Sequence, residues 1–503
     1  MPGSPLGADF AEGGGGGGVG LGVGRGGAMF SATSDCAATC ATRPACNPNS
    51  SIAPIPATIA VEARADTVLF CCDAYIGRDP FGCLPHQRAG AGLYPRDPVA
   101  SLDGPARSFQ PRPMTAFDNW RARSPYYDET HEALAMSVRR FVSREIAPHI
   151  DSWEAAGELP RELHRKAAAA GILGLRYPEE YGGHSAGFDI FHGLVLTEEL
   201  AAVGAGGLGA SLMTHGIGLP PILALGSDEL KRRVAPPVLA GDKIIALGIT
   251  EASGGSDVAN LRTTAQREGD HYVVDGGKMF ITSGMRADWL TCAVRTGGPG
   301  AGGVSLLLIE MDAPGVSRTR LDKMGWRCSD TAAIHFDAVR VPAANLIGAE
   351  NGGFIGIMRN FNSERLGMAM GCCAQARVAM AEAVGWAQSR ETFGKPLVGH
   401  QSIRIKLADM ERQIEATQAW VDLCAWQVKE RRDRPADFAM LKVQATRMLE
   451  HVAREAAQVL GGASFITGSK VERIYREVRV NAIGGGSEEI MLDLAGRQLF
   501  GGR

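Results

Sequence analysis

The order of secondary-structure patterns along the chain most constrains its fold. From Lys243 to about Pro342 the sequence contains short runs rich in β-branched and aromatic residues, such as KIIALGIT and HYVVDGGKMFIT, separated by Gly, Asp and Asn. Segments with helical periodicity precede and follow this β-rich stretch. Because strands and helices do not alternate, the pattern excludes a βαβ dinucleotide-binding fold and predicts an α+β chain of several domains.

The helical segments set the expected domain boundaries. We predict a low-complexity extension over 1–113, an N-terminal helical domain over 124–242, a middle β domain over 243–345 and a C-terminal helical bundle over 351–500. In the first helical part, LPRELHRKAAAAGILGL predicts a helix from its proline to near Gly174. In the last part, apolar residues at 4-3 spacing predict packing within a bundle or between subunits. They are Ile403, Leu407, Met410, Ile414, Val421, Cys424 and Val428, with polar Thr417 in the seam.

The first 113 residues differ from the rest. They contain the run Gly13–Gly18 and show no lasting period of 2 or 3.6 residues, so we expect a disordered extension. Its several acidic residues argue against a transit peptide, and Met114 is a candidate start site. The spacing of Cys36, Cys40 and Cys46 lacks a second pair or a histidine, so we predict no metal site.

Charge and hydropathy exclude several classes of partner. The net charge of -3 provides no basic footprint for nucleic acid and no polybasic patch for a membrane surface. Apolar stretches such as GIGLPPILALG are too short and too interrupted to span a bilayer. The five cysteines after residue 113 lie in apolar segments and are expected to be reduced core residues.

Two glycine-rich stretches within the β-rich segment carry polar groups suited to a cofactor. GITEASGGSDVANLRTTA (248–265) leaves a strand and turns through Gly-Gly-Ser, whose backbone amides can bind anionic or polar atoms. GGKMFITSG (276–284) places aromatic Phe280 close to the hydroxyl of Thr282 at a strand end. An aromatic ring and a hydroxyl in this position suit the edge of a planar ring cofactor.

These stretches, in this order between helical domains, resemble the acyl-CoA dehydrogenase family. The resemblance continues in MGWRCSDTAAIHFDAVRVP, NSERLGMAMG, SRETFGKPLVGHQSIRIKLADM, QVLGGASFITGSKVERIYREVRV and IGGGSEEI, and it covers about residues 124–500. It implies an N-terminal helical domain, a middle β-barrel-like domain and a C-terminal four-helix bundle. It also implies bound FAD and assembly at least into a dimer, with a homotetramer as the family pattern.

The resemblance implies roles for individual residues. Those implied to line FAD are Ile249, Thr250, Gly255, Ser256, Phe280, Ile281, Thr282, Ser487 and Glu489, with Ser256 also near the substrate. Those implied to reach FAD across a subunit boundary are Arg390, Phe393, Gln401, Gln458, Gly461 and Gly462. Taken alone, Arg390 could simply cap its helix, and the two glycines could simply end one. Ala252-Ser253, Asn260 and Ser464 depart from the family pattern, which leaves the local loop shape open.

The family places its catalytic glutamate in one of two positions. Oxidation of an acyl thioester at Cα–Cβ needs a base for the α-proton and a hydride acceptor for the β-hydrogen. In NAIGGGSEEI (481–490) the loop position is Gly485, so this loop cannot supply the base. The resemblance instead implies that Gly485 donates its backbone N–H to the thioester carbonyl and that Gly486 approaches the substrate.

The other position is occupied by Glu364 in FNSERLGMAMG, as in long-chain and isovaleryl-CoA dehydrogenases. The alternative is that Asn362 or Ser363 caps a helix there and that the acid only complements the helix dipole. We favour Glu364 as the base. Burial should raise its pKa and a helix N-terminus should lower it, so the direction stays open at this point. Arg365 could hold the CoA or brace the helix, and Ile355, Asn362 and Ser363 are candidates for the substrate wall.

The sequence thus predicts an FAD-dependent acyl-CoA dehydrogenase that forms a trans-2-enoyl-CoA and passes electrons to electron-transfer flavoprotein. One alternative is a flavin oxidase or monooxygenase on the same fold. Another is a non-catalytic protein that binds acyl-CoA or an acyl carrier. The expected location is the cytoplasm for a bacterial-type protein and the mitochondrial matrix for a eukaryotic one. The position of the base on a helix favours long or branched acyl chains, by resemblance only.

Overall fold

The structure is a computed structural model that describes residues 117–501. The predicted extension over 1–113, the three early cysteines and Met114 lie outside the described residues. Within the described range, no single helix is both long and apolar enough to cross a membrane. The bent pair Gly206–Leu212 and His215–Leu225 is together long and apolar enough for a membrane span, by length and composition only.

Nine helices form the first part of the described chain. They are α1 (Asp118–Arg121), α2 (Glu129–Phe141), α3 (Ile150–Ala156), α4 (Arg161–Ala169), α5 (Ile190–Ala201), α6 (Gly206–Leu212), α7 (His215–Gly218), α8 (Pro220–Leu225) and α9 (Asp228–Leu239). A π-helical turn, Val142–Ile146, extends α2. The side chains of Asp128 and Asp189 cap α2 and α5, and that of Ser227 caps α9, because each accepts backbone N–H bonds of the first turn.

The prediction that the helix after Pro160 runs to near Gly174 was wrong at its end. Pro160 is the N-cap of α4 as expected, but the helix ends at Ala169. Gly171 adopts a φ of 76°, a left-handed conformation that interrupts the helical hydrogen bonds. The apolar residues that follow, including Ile172 and Leu173, are buried in the core of the helical domain without belonging to the helix.

Seven strands form one sheet in the middle of the chain. They are β1 (Ile245–Gly248), β2 (Thr264–Glu268), β3 (His271–Thr282), β4 (Trp289–Arg295), β5 (Val304–Glu310), β6 (Val316–Arg320) and β7 (Thr331–Pro342). The strand order is β1-β4-β2-β3-β7-β6, with β5 paired to β4. The β1–β4 and β2–β4 pairs are parallel and the others are antiparallel. The stretch 248–265 therefore connects β1 to β2, and 276–284 runs along the end of β3.

The last part is helical again, with a short hairpin between its first two helices. It comprises α10 (Gly353–Ser389), β8 (Glu391–Thr392), β9 (Lys395–Pro396), α11 (Gln401–Lys429), α12 (Pro435–Leu460), α13 (Lys470–Ile483) and α14 (Glu488–Phe500). Buried residues of α10–α13 share one core, and α14 packs on α12 as a fifth helix through Met491 and Ala495. The prediction of three regions, helical, β and helical, is confirmed.

The 4-3 spacing of α11 serves packing within the chain. Leu407, Met410, Ile414, Val421 and Cys424 are buried in the core shared by α10–α13, with Ile403 and Val428 at its margin. Thr417 is also buried, and its hydroxyl donates to the Gln413 carbonyl at 2.8 Å. The cysteines of the described chain behave as expected for core residues: Cys292, Cys328, Cys372, Cys373 and Cys424 are buried and free.

Candidate active site

Glu364 lies in the interior of α10, on a half-buried face of that helix. Because α10 begins at Gly353, the residue is three turns from the helix N-terminus. The alternative that Asn362 or Ser363 caps a helix at this point was therefore wrong. The helix dipole acts within the first turn and does not reach the carboxyl group.

Burial decides the protonation of Glu364. Loss of hydration raises the pKa of its carboxyl group to about 7, while the neighbouring Arg365 and a hydrogen bond from Asn360 act in the opposite direction. The Asn360 amide lies one turn earlier on α10 and donates to Glu364 Oε1 at 2.6 Å. The same Nδ2 donates to the carbonyl of Ile217 in α7 at 3.1 Å. A carboxyl group with this pKa can accept a proton at neutral pH, and its position is fixed from two helices.

The glycine loop of residues 484–487 lies against the turn of α10 that follows Glu364. Gly485 and Gly486 have φ values of 67° and 110°, which favour glycine. A β-carbon on Gly485 would stand 2.6 Å from Met368 Sδ, and Met368 is one turn after Glu364. The loop thus brings bare backbone close to the helix face that carries the carboxylate.

Arg365 braces this loop. It is buried, and its Nε donates to the Gly485 carbonyl at 3.4 Å while Nη1 donates to Asn362 Oδ1 at 3.0 Å. The sequence left open that Arg365 holds the CoA or braces the helix; these contacts favour a bracing role, which reaches from the helix to the loop. Ile355 and Ser363, the other candidates for a substrate wall, are exposed.

The two glutamates after the glycines point elsewhere. Glu488 forms an ion pair with Arg447 at 2.8 Å. Glu489 is exposed, and hydrogen bonds from its own backbone N–H and from Ser487 lower the pKa of its carboxyl group. Neither side chain is a candidate for the base.

The face of α10 that carries Glu364 continues into open space. Gly367 and Gly371 follow Glu364 by three and seven residues and lie on the same face. Among the described residues, and apart from the local helix backbone and chain neighbours, no heavy atom lies within 4 Å of the place where a β-carbon would stand on Gly367, Gly371, Gly209 or Gly216. The α6–α7 segment, which carries Gly209 and Gly216, meets α10 at Ile217 through Asn360 and at Gly206 beside Gln375. Small residues therefore leave room beside the carboxylate.

The stretch 248–265 is anchored by a buried ion pair. Glu251 Oε1 lies 2.7 Å from Lys278 Nζ, and Glu251 also accepts from the Thr263 hydroxyl at 2.6 Å and from the Arg262 N–H at 2.6 Å. Lys278 donates in addition to the Ile249 carbonyl at 3.3 Å. Between these anchors, Gly255 and Ser256 are exposed, so their amides and hydroxyl are free to meet a ligand.

Phe280 is presented by a distortion of β3. The register of β3 against β7 shifts between Lys278 and Ile281, and Phe280 has a φ of 62°. Such bulges redirect a side chain and are frequent beside active sites. The Phe280 ring is 67% exposed, Ile281 is buried, and Thr282 is half-buried at the strand end. An exposed aromatic ring next to a hydroxyl and a glycine turn fits the edge of a flavin ring system.

The region predicted to face the flavin packs in the same core as the helix that carries Glu364. Ile249, at the end of β1, belongs to the same buried cluster as Ile357, which precedes Glu364 by two turns of α10. Thr250 is half-buried, and its carbonyl accepts the Met279 N–H at 2.8 Å, which joins the two glycine-rich stretches. One packed cluster thus connects Ile249, predicted for the FAD site, to the helix that carries Glu364.

The residues predicted to act across a subunit boundary lie on the surface of this single chain. Phe393 is 96% exposed between β8 and β9, and Arg390 is the exposed C-cap residue of α10. Gln401 begins α11, Gln458 lies near the end of α12, and Gly461-Gly462 open the following turn. All are exposed, and within the described chain no backbone hydrogen bond joins any of them to the glycine loop or to Glu364. Whether they meet FAD of a second subunit stays a prediction.

Three comparisons with known proteins agree with this architecture. The chain matches the acyl-CoA dehydrogenase N-terminal domain over 128–242, the middle domain over 246–339 and the C-terminal domain over 351–500. The chain belongs to the acyl-CoA dehydrogenase family. It is therefore an oxidoreductase of a family that binds FAD and acts on acyl-CoA, and it has the acyl-CoA dehydrogenase fold.

Individual relatives cover the part of the chain that the structure describes. A long-chain specific mitochondrial acyl-CoA dehydrogenase of Sus scrofa is 34% identical, over 74% of this chain and 87% of its own. The crystal structure of a "probable acyl CoA dehydrogenase" from Mycobacterium abscessus is 50% identical, with a TM-score of 0.73 over 74% of this chain and 99% of its own. A glutaryl-CoA dehydrogenase from Mycobacterium smegmatis in complex with FADH2 is 28% identical, with a TM-score of 0.70 over 75% of this chain and 96% of its own.

Sequence reasoning missed Asn360, Lys442 and the Glu251–Lys278 pair. Asn360 was detectable in principle, because it precedes Glu364 by four residues and a helix brings such pairs together. Lys442 carries no local signal. It lies in α12 and reaches the glycine loop, where its Nζ donates to the Gly486 carbonyl at 2.6 Å.

Two other features lie away from this site. A surface cleft of about 540 Å³ is lined by residues such as Arg161, Lys243 and Asp288, and by none of those predicted for FAD or acyl-CoA. Its charges neutralise one another, since Arg161 pairs with Asp288 at 2.5 Å. The shape of this cleft therefore does not indicate the site of the chemistry.

His131, Asp189 and His192 form a group with metal-compatible spacing. The two imidazole rings are stacked with centroids 3.9 Å apart, and their nitrogens already have hydrogen-bond partners. Each Nδ1 accepts a backbone N–H at the start of its helix, and Asp189 also pairs with Lys429. The group joins the caps of α2 and α5.

Proposed function

We propose that this protein catalyses the α,β-dehydrogenation of an acyl-CoA thioester to a trans-2-enoyl-CoA, with Glu364 as the base that removes the α-proton. The observation that carries the proposal is the placement of Glu364. Its carboxyl group is half-buried, has a pKa of about 7, is held by Asn360 and lies beside a loop of bare backbone. These are the properties that a base for a weakly acidic carbon needs.

The α-proton becomes removable only if the thioester oxygen is stabilised as charge develops on it. We assign one of the required donors to the backbone N–H of Gly485. The positive φ values of Gly485 and Gly486 support this assignment, because they allow the backbone to approach a ligand without side chains. When bound, FAD supplies the acceptor for the hydride from Cβ.

We assign the FAD site to the glycine-rich stretches and to exposed Phe280. Ile249, Thr250, Gly255, Ser256, Ile281 and Thr282 would surround it, and Ser487 and Glu489 would contact it from the start of α14. Glu251 and Lys278 would hold the stretch 248–265 in shape from below, since their ion pair ties it to β3. The exposure of Phe280 supports a ligand at this place.

The assembly proposed is a homotetramer, and at least a dimer. Support comes from exposed apolar side chains in the C-terminal helical part, among them Phe393, Phe465, Ile466 and Phe500. Arg390, Phe393, Gln401, Gln458, Gly461 and Gly462 would complete the FAD site of a neighbouring subunit. We propose electron-transfer flavoprotein as the electron acceptor, on family grounds.

The substrate proposed is an acyl-CoA with an extended or branched chain. Open space at four glycines of α10 and the α6–α7 segment supports it, as does the distance of roughly 16 Å along α10 between Glu364 and Gln375. Ile355, Asn362, Ser363 and Gly486 are the proposed neighbours of the substrate. We propose the cytoplasm as the location in a bacterial host and the mitochondrial matrix in a eukaryotic host, where a mitochondrial relative is found.

The test is an anaerobic titration of the purified flavoprotein with acyl-CoAs of increasing length and branching. We expect one subset to bleach the visible absorbance of the flavin and to yield the 2-enoyl-CoA. Glu364→Gln should keep FAD and bind the same thioesters but lose bleaching by at least about 10³-fold. A fully active Glu364→Gln variant would refute the base. Peroxide formation in air without an added acceptor would instead favour an oxidase.

A further inference from the structure

The carbonyl groups of the glycine loop are held by two cations from two helices. Arg365 of α10 donates to the Gly485 carbonyl at 3.4 Å, the limit of a hydrogen bond. Lys442 of α12 donates to the Gly486 carbonyl at 2.6 Å, a short charge-assisted bond. The stronger of the two contacts thus comes from a residue that lies in the middle of a helix and outside every assigned site.

Lys442 is fully buried, which makes its position costly unless it serves the structure around it. The titratable groups that face it are Cys372 and Arg365 on α10, Glu488 on α14 and Arg479 on α13. Glu488 is already paired with Arg447. In the part of the chain that the structure describes, no carboxylate accepts a hydrogen bond from the Lys442 ammonium. Its hydrogen-bond acceptor there is the Gly486 carbonyl.

The loop depends on such contacts for its shape. Gly484, Gly485 and Gly486 have no side chains to pack, and the last two adopt positive φ values. Van der Waals limits act on two sides, at Met368 for Gly485 and at Met491 for Gly486. A fixed Gly486 carbonyl limits the rotation of the peptide groups before it, including the one that carries the Gly485 N–H.

We propose that Lys442 is a positioning residue, whose ammonium holds the Gly486 carbonyl so that the Gly485 N–H points at the thioester oxygen of the substrate. The proposal rests on the proposed function of Gly485. It assigns to Lys442 no contact with substrate or cofactor. Its effect is on the rate of α-proton removal and not on the binding of the acyl chain.

The proposed role of Lys442 requires its charged ammonium form. Burial lowers the pKa of the Lys442 side chain to about 8, so the ammonium is present below this pH and the neutral amine above it. Deprotonation weakens the bond to the carbonyl without removing the N–H donors. An arginine at this position stays charged throughout, so the shape of its pH profile reports the loss of charge that occurs only in the wild type.

The experiment compares Lys442→Met and Lys442→Arg with the wild type in the FAD-loaded enzyme. The matched control is Arg473→Met, because Arg473 is also buried and donates to a backbone carbonyl, that of Val203 at 3.0 Å, away from the loop. Three quantities are measured with an acyl-CoA that bleaches the wild type: FAD content, kcat and KM. A fourth is the pH at which a bound 3-oxoacyl-CoA ionises to its enolate, read from the long-wavelength absorbance of the enolate against oxidised flavin.

We expect Lys442→Met to keep its FAD and a KM within about threefold, to lose about 10- to 100-fold in kcat, and to raise the pH of enolate formation. Lys442→Arg should recover most of the rate and remove a decline of wild-type kcat above about pH 8. Arg473→Met should keep the wild-type kcat and enolate titration.

Three outcomes overturn the proposal. Wild-type kcat and enolate titration in Lys442→Met would show that the loop does not need the brace. Equal losses in Lys442→Met and Arg473→Met would show a general structural effect. Identical alkaline profiles in the wild type and Lys442→Arg would remove the charged contact from the account. If no acyl-CoA bleaches the flavin absorbance of the wild type, the proposed function itself is refuted, and with it the role proposed for Lys442.

Discussion

Replacement of Asn360 by leucine should shift the pH dependence of the reaction upward. The Asn360 amide donates to Glu364 Oε1 at 2.6 Å, and this bond opposes burial, which on balance raises the pKa of the carboxyl group to about 7. A hydrogen bond to a charged group contributes about 1.5–3 kcal/mol, and one pKa unit corresponds to about 1.4 kcal/mol. Loss of the bond should therefore raise the pKa of Glu364 by about 1 to 2 units, to about 8–9.

The sign follows from the role of the base. Only the carboxylate form of Glu364 accepts the α-proton, so kcat/KM rises with pH through the pKa of the free enzyme. At pH 7 about half of the wild-type groups are ionised, against roughly 1–10% in Asn360→Leu, so kcat/KM at pH 7 should fall about 5- to 50-fold. Near pH 10 the two enzymes should converge.

The assay is the initial rate with an artificial electron acceptor between pH 6 and 10, at substrate concentrations well below KM. Asn360→Asp is a second variant, because a carboxylate at this place raises the pKa of Glu364 further by like-charge repulsion. We expect inflections in the order wild type, Asn360→Leu, Asn360→Asp. Coincident inflections in three folded, FAD-loaded enzymes would refute the assignment of the acidic limb to Glu364.

Three further predictions concern the fold around the site. Measured by denaturant unfolding, Glu364→Gln should be more stable than the wild type at pH 8, by up to about 3 kcal/mol, and equal to it near pH 4. The reason is the raised pKa of Glu364: between about pH 4.5 and 7 the folded wild type binds more protons than the unfolded chain, so its stability falls as pH rises there. Gly485→Ala should lower kcat and reduce the free energy of unfolding by about 1–2 kcal/mol, because Gly485 has a φ of 67° and the new β-carbon meets Met368. Gly484→Ala, at a φ of -62°, should leave both kcat and the free energy of unfolding nearly unchanged. Lys278→Met should destabilise the protein by about 3–5 kcal/mol and release FAD, since it leaves Glu251 buried without its cation; unchanged melting temperature and flavin content would contradict this.

The sequence alone was sufficient to predict the order of the domains and to select two candidate groups for the reaction, the Glu364 carboxylate and the Gly485 backbone N–H. The β-rich stretch between helical segments has its own periodicity, and a glycine at 485 leaves Glu364 as the available base by comparison with the family. Local signals of this kind survive in a single sequence because the residues that carry them are neighbours along the chain.

The supporting contacts could not be derived in the same way. Lys442 reaches the loop from a helix that begins about 50 residues earlier, and a lysine in an amphipathic helix normally indicates a solvated face. The length of α10 decided the environment of Glu364, because a helix that starts at Gly353 places the carboxyl group beyond the dipole of the first turn. The exposure of Phe280 depends on a bulge in the pairing of β3 with β7, which involves residues some 50 positions apart.

The most direct test of the account is a crystal structure of the FAD-loaded protein with a 3-thia-acyl-CoA, a thioester that cannot be dehydrogenated. We predict a Glu364 carboxylate oxygen within about 3.5 Å of the substrate Cα, and the Gly485 nitrogen about 3 Å from the thioester oxygen. A Cα that lies beyond about 5 Å from Glu364, with another carboxylate or histidine closer to it, would contradict the central claim.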